Sequence, residues 1–128
     1  RFKDVKLAPK FIKNLENIAE SKYVTGTKTD LKGGVIFKPM VKTKEVIKLF
    51  NYVKDISKEL GFPEPVPVDS GGGSDSAYSV LSGVPTVDAL GPKGGLNHTP
   101  REYVKVDTLF ERTKLLIACI LNINKFEV

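Results

Sequence analysis

The sequence predicts an α/β fold, with a parallel-rich sheet and flanking helices. Three observations predict it. Short β-branched and apolar runs alternate with longer stretches of helical period. Glycine-rich loops stand between them. From Pro65 onward the order is strand, glycine loop, helix, strand, loop, helix, which is the pattern of parallel strands joined by crossovers. The chain changes character near Met40 to Thr43: a helix and a strand of α+β type precede it, and the α/β part follows.

The first helix is predicted from Ala8 to Ser21, with Phe11, Ile12, Leu15, Ile18 and Ala19 at helical spacing and Pro9 in the tolerated first turn. Tyr23 to Lys32 is polar and reads as loop or weak strand. Gly33 and Gly34 lead into Val35-Ile36-Phe37, a short strand closed by Pro39. Thr43 is a fitting N-cap for a second helix, whose buried stripe is Val46, Ile47, Phe50, Val53 and Leu60. Gly61 and Pro63 stop it. Pro65 to Val68 is extended and runs into the glycine loop. Ser76 to Ser82 reads as a helix ended at Gly83, and Val84 to Leu90 as a buried strand. Tyr103 to Val106 is a short strand or connector. Asp107 is expected to cap a last helix reaching Asn122, with Leu109, Leu116, Cys119, Ile120 and Ile123 facing inward.

Composition narrows the function. With 41% hydrophobic and 27% charged residues, the 128-residue chain has the make-up of a globular protein of one ordinary domain. No apolar run approaches the ~20 residues that span a bilayer, and no export signal opens the chain, so neither membrane nor secretion is expected. The single cysteine, Cys119, builds no internal disulfide and fits a reducing, cytoplasmic setting. The net charge is +5. The lysines are spread along the chain and alternate with acids, as in Lys44-Glu45 and Lys58-Glu59, without a basic block interleaved with aromatics. Nucleic acid is therefore not an expected partner.

Two segments carry chemistry. Ser70-Gly71-Gly72-Gly73-Ser74-Asp75 stands between a predicted strand and helix, where open α/β sheets bind ligands. Its alternative is a tight turn with Ser74 or Asp75 as helix N-cap. It lacks the Gly-Lys-Ser/Thr ending of a phosphate loop. The second is Gly94-Gly95-Leu96-Asn97-His98-Thr99-Pro100-Arg101-Glu102-Tyr103-Val104, which holds the chain's only histidine. An imidazole in a glycine-rich loop is placed like a metal ligand or proton carrier. A lone histidine is also commonly structural, and no acidic residue stands at a recognised ligand spacing from His98. Glu102 is placed to orient the ring if the loop curls. A serine–histidine triad from Ser70 or Ser74 with His98 lacks the nucleophile-elbow pattern.

Three segments together resemble the zinc-dependent metallopeptidase family of glutamate carboxypeptidases, aminoacylases and succinyl-diaminopimelate desuccinylase. They are Gly34 to Met40, Ser70 to Tyr78, and Val84 to Val106. The resemblance covers essentially the whole chain. It implies that residues 1–41 are the end of a lid or dimerisation domain, and that residues 42–128 are the C-terminal segment of a catalytic zinc-hydrolase domain. It implies two zinc ions in the intact parent enzyme, with cobalt or manganese as substitutes, and His98 as a ligand of one. Gly72, Gly73 and Ser74 match a loop that approaches the bound substrate. Lys38 falls where many carboxypeptidase members carry an arginine that grips the substrate's terminal carboxylate from the lid. Lysine keeps the charge and loses the bidentate fork.

What is absent is equally informative. The family's histidine-x-aspartate pair has no counterpart, because there is one histidine. No two glutamates are adjacent, so the pair that supplies the general base and a zinc ligand is missing. The expectation is the C-terminal portion of a zinc-dependent peptidase or amidohydrolase, acting on a peptide or N-acyl amino acid and inactive without the N-terminal part. The lid would supply a homodimer contact. The alternative is a non-catalytic interaction or dimerisation domain on the same scaffold.

Overall fold

The computed structural model describes residues 2–126. A turn of 3₁₀-helix at Val5–Leu7 leads into α1 (Ala8–Glu20). Then come α2 (Lys44–Glu59), α3 (Ser76–Leu81), β1 (Gly94–Gly95), β2 (Tyr103–Val104) and α4 (Val106–Leu121), with a last 3₁₀ turn at Ile123–Lys125. No helix among the described residues is long and apolar enough to cross a membrane.

Helix α2 is bounded as its sequence signals demand. The Thr43 Oγ1 accepts the Val46 N–H at 3.2 Å, a cap worth about 1 kcal/mol. At the other end Gly61 takes φ 69°. There the Phe62 N–H donates to the Ser57 carbonyl at 2.9 Å and the Gly61 N–H to the Lys58 carbonyl at 3.0 Å. This is a Schellman closure, and a residue with a Cβ fits its left-handed position poorly. Gly83 repeats it after α3, with φ 87° and the Val84 N–H on the Ser79 carbonyl at 3.0 Å.

The core is the contact of α2 with α4. Tyr52, Val53, Ile56, Leu115 and Cys119 form it, and Leu49, Phe62, Val87, Leu90, Ala118 and Phe126 pack around it. The Tyr52 hydroxyl donates to the Cys119 carbonyl at 2.6 Å and ties the helices across 67 residues of chain. Ser57 is buried and satisfied, its hydroxyl donating to the Pro63 carbonyl at 3.0 Å. Burial pushes the Cys119 thiol above its ordinary pKa, which keeps it a packing group.

Several expectations are corrected. Lys105 occupies the N-cap position of α4 and Asp107 lies in its first turn. Of the inward face expected for α4, only Cys119 is buried. Leu115 joins it, while Leu109, Leu116, Ile120 and Ile123 are exposed. Likewise in α2, Ile47 and Leu60 are exposed, and Tyr52, Ile56 and Ser57 are buried with Val46 and Val53. The sheet among the described residues is one antiparallel pair, Gly94 opposite Val104 and Gly95 opposite Tyr103. The expected strands at 35–37, 65–68 and 84–90 have no ladder. A strand exists only through a hydrogen-bonded neighbour, and these segments have none here. In the third, Ala89 also turns out of the extended region with φ 59°. The architecture is thus helical with a two-stranded sheet, compatible with part of an α/β domain.

Candidate functional site

The glycine loop and the segment before α2 meet. Gly71, Gly72 and Gly73 line one open pocket with Gly34, Ile36, Phe37, Lys38 and Pro39, and Phe2 closes its edge. Its volume is about 390 Å³, within the range of small-molecule sites. The pairing has a visible cause. The Tyr78 hydroxyl on α3 donates to the Ile36 carbonyl at 3.2 Å, and the Tyr78 and Phe37 rings lie 6.4 Å apart. Helix α3 thereby fastens the lysine-bearing segment beside the loop that precedes it.

The loop's own bonds limit what it offers. The Gly72 N–H is held by the Ser70 Oγ at 3.1 Å. Ser74 does not line the pocket, and its Oγ accepts the Ser76 N–H at 3.2 Å. The side chain of Asp75, the N-cap residue of α3, makes no capping bond. Lys38 is exposed and contributes a cation to a pocket otherwise lined by apolar side chains and glycine backbone.

His98 lies elsewhere, on the loop between β1 and β2, and is not part of the pocket wall. Its root is fixed to α4. The Lys93 N–H donates to the Thr108 Oγ1 at 2.8 Å, the Lys105 N–H to the Lys93 carbonyl at 2.8 Å, and the Lys93 ammonium pairs with Glu111 at 3.2 Å. The loop does curl after His98: the Glu102 N–H reaches the Thr99 carbonyl at 3.0 Å. Glu102 itself stays exposed.

Among the described residues no three His, Cys, Asp or Glu side chains converge. A zinc ion takes three or four such ligands. The imidazole of His98 is exposed and does not make such a site by itself. Tyr78 and Phe37 were not legible as site residues, since their role is a contact between distant segments. Thr99 had a weak signal, a threonine able to close a turn on the carbonyl three residues before it.

Comparison with known proteins identifies the family. Residues 13–122 match the family described as Peptidase family M20/M25/M40, a stretch that contains Lys38, the glycine loop and His98. Carboxypeptidase G2 of Pseudomonas sp. (strain RS-16) is 33% identical over 81 residues, which is 62% of this chain and 19% of that protein. The chain thus matches about a fifth of the length of that relative. No solved structure matches. With the family matched over most of the chain, and its glycine-loop and histidine segments both inside the match, this protein belongs to peptidase family M20/M25/M40.

Proposed function

We propose that this chain is the C-terminal portion of a zinc-dependent metallopeptidase or amidohydrolase that cleaves a peptide or N-acyl amino-acid amide bond. Carboxypeptidase and deacylase chemistry both fit. The observation that carries the reading is the pocket that sets Lys38 beside Gly71, Gly72 and Gly73. A cation against close-approach backbone suits a ligand with a carboxylate at one end. The Lys38 ammonium holds that carboxylate as a point charge, without the planar fork of arginine.

On this reading residues 1–41 end the lid domain and residues 42–128 close the catalytic domain. His98 supplies one zinc ligand. Zinc, when bound, supplies Lewis acidity at the scissile carbonyl and an activated water. The general base and remaining ligands belong to the N-terminal part, since no two glutamates are adjacent in this chain. Helix α4 supports the incompleteness. Phe110, Ile117, Ile120 and Leu121 are exposed on it while Leu115 and Cys119 are buried, and its second half, residues 115–121, is apolar on all sides, as helices enclosed within larger proteins are. The stripe of Phe11, Leu15 and Ile18 on α1 is exposed at helical spacing and favours a homodimer contact through the lid. That stripe is also what favours the second reading, a non-catalytic interaction domain.

Two variants of the full-length protein, assayed on a panel of dipeptides and N-acyl amino acids, test the proposal. His98→Ala is expected to lower zinc content and abolish turnover. Lys38→Ala is expected to raise KM about 10- to 100-fold, the loss of one charge-assisted contact, with kcat nearly kept. Unchanged zinc content and turnover in His98→Ala would sink the catalytic reading and leave the interaction domain.

A further inference from the structure

The loop carries His98 in a conformation that the chain does not adopt freely. Leu96 has φ 58° and His98 φ 64°. A left-handed backbone brings Cβ close to the following carbonyl oxygen. Histidine tolerates this better than most residues, but a bulky aliphatic side chain there is an outlier. Such strain persists only where neighbours over-determine it.

Here one residue does most of that. The Thr99 hydroxyl donates to the Leu96 carbonyl at 2.7 Å. The Thr99 N–H donates to the same oxygen at 3.2 Å. The hydroxyl also accepts the Arg101 N–H at 3.2 Å, and the Thr99 carbonyl accepts the Glu102 N–H at 3.0 Å. These bonds bracket His98 on both sides. The imidazole is exposed, and the backbone that bears it sets where its Cα–Cβ bond points and so the arc its ring can reach.

We propose that Thr99 is the positioning residue for His98. Its hydroxyl clamps the turn from Leu96 to Arg101 and holds the histidine backbone left-handed, which would pre-set the Cα–Cβ direction from which the imidazole would ligate zinc. The proposal rests on the reading of His98 as a zinc ligand. Partners that orient a ligand are typically worth about 10- to 100-fold in metal affinity. The role differs from that of Glu102, because it acts through the backbone and not through the ring.

The test measures zinc dissociation constants of the full-length protein by chelator competition, with crystal structures of the variants. Thr99→Val keeps the side-chain shape and removes both hydroxyl bonds. It is expected to weaken zinc binding about tenfold and to release Leu96 from positive φ. Thr99→Ser keeps the bonds and is expected to stay within about twofold of the parent. The double variant Thr99→Val with Leu96→Gly is the decisive one. Glycine adopts positive φ without steric cost, so the clamp is less needed and affinity is expected to recover. A general structural role for Thr99 would show no such rescue.

If Thr99→Val binds zinc like the parent while His98→Ala does not, the clamp is overturned and the ligand assignment stands. If His98→Ala also binds like the parent, the ligand assignment falls first. Failure of Thr99→Val to fold would overturn the proposal as well, because an exposed loop residue with that effect has a wider structural role.

Discussion

Leu115→Ala is expected to destabilise the protein by about 3 kcal/mol, read as a fall in the urea midpoint at unchanged m-value. Leu115 is 1% exposed and sits where α4 meets Val53 and Ile56 of α2. Truncation there loses the transfer free energy of the side chain and leaves a cavity between two helices that the Tyr52–Cys119 hydrogen bond keeps from collapsing together. Total stabilities of single domains are only about 5–15 kcal/mol, so the loss is a large share. Ile120→Ala on the same helix is the control. Ile120 is 70% exposed in this 128-residue chain, and its truncation in that chain is expected to cost under about 1 kcal/mol. Equal effects of the two substitutions would mean that the buried face of α4 has been misassigned.

Gly94→Ala is expected to break the β1–β2 pair and loosen the histidine loop. A Cβ on Gly94 would collide with the backbone carbonyl oxygen of Tyr103, an atom that cannot swing aside as a side chain does. The pair is only two residues long on each side, so it has no further ladder to absorb the shift. Overpacking of this kind costs roughly 1–3 kcal/mol. The local readout is amide exchange of Lys105, whose N–H closes the root of the loop on the Lys93 carbonyl at 2.8 Å. Its protection should fall in Gly94→Ala and persist in Gly91→Ala, because a Cβ at Gly91 meets nothing within 4 Å. Identical protection in both variants would show that the hairpin does not depend on the bare glycine.

The helices were legible where their ends carry distinct chemistry. Thr43 and Gly61 bracket α2 within a residue of the expected bounds, because a cap and a left-handed closure are local requirements. The inward face of α4 was not legible. Asp107, Glu111 and Lys114 mark a polar side in its first half only, and the unbroken apolar run from Leu115 to Leu121 leaves none in the second, so periodicity there admits more than one buried face. The strands at 35–37, 65–68 and 84–90 were read from composition, but pairing is a property of two segments and not of one. The same limit applies to the site. The glycine loop and His98 were visible as motifs, whereas the contact of Lys38 with the loop's surroundings depends on Tyr78 reaching Ile36 across 42 residues.

The bond from Tyr52 to Cys119 also gives the protein an optical signature. The chain has no tryptophan and four tyrosines, so its near-ultraviolet absorbance comes mainly from phenols. Tyr23, Tyr78 and Tyr103 are 77%, 42% and 50% exposed, and Tyr52 is 9% exposed. Burial raises the Tyr52 pKa above the ordinary phenol value, with the nearby Cys119 and Glu59 adding to it. In an alkaline titration the Tyr52 phenolate should form only above the ordinary phenol range. A folded-state pKa above the unfolded one means that this contribution to stability is complete below the ordinary phenol pKa and fades as pH rises through the raised value. The late phenolate should therefore appear together with separation of α2 from α4, so absorbance alone would follow the opening of the core without an attached dye.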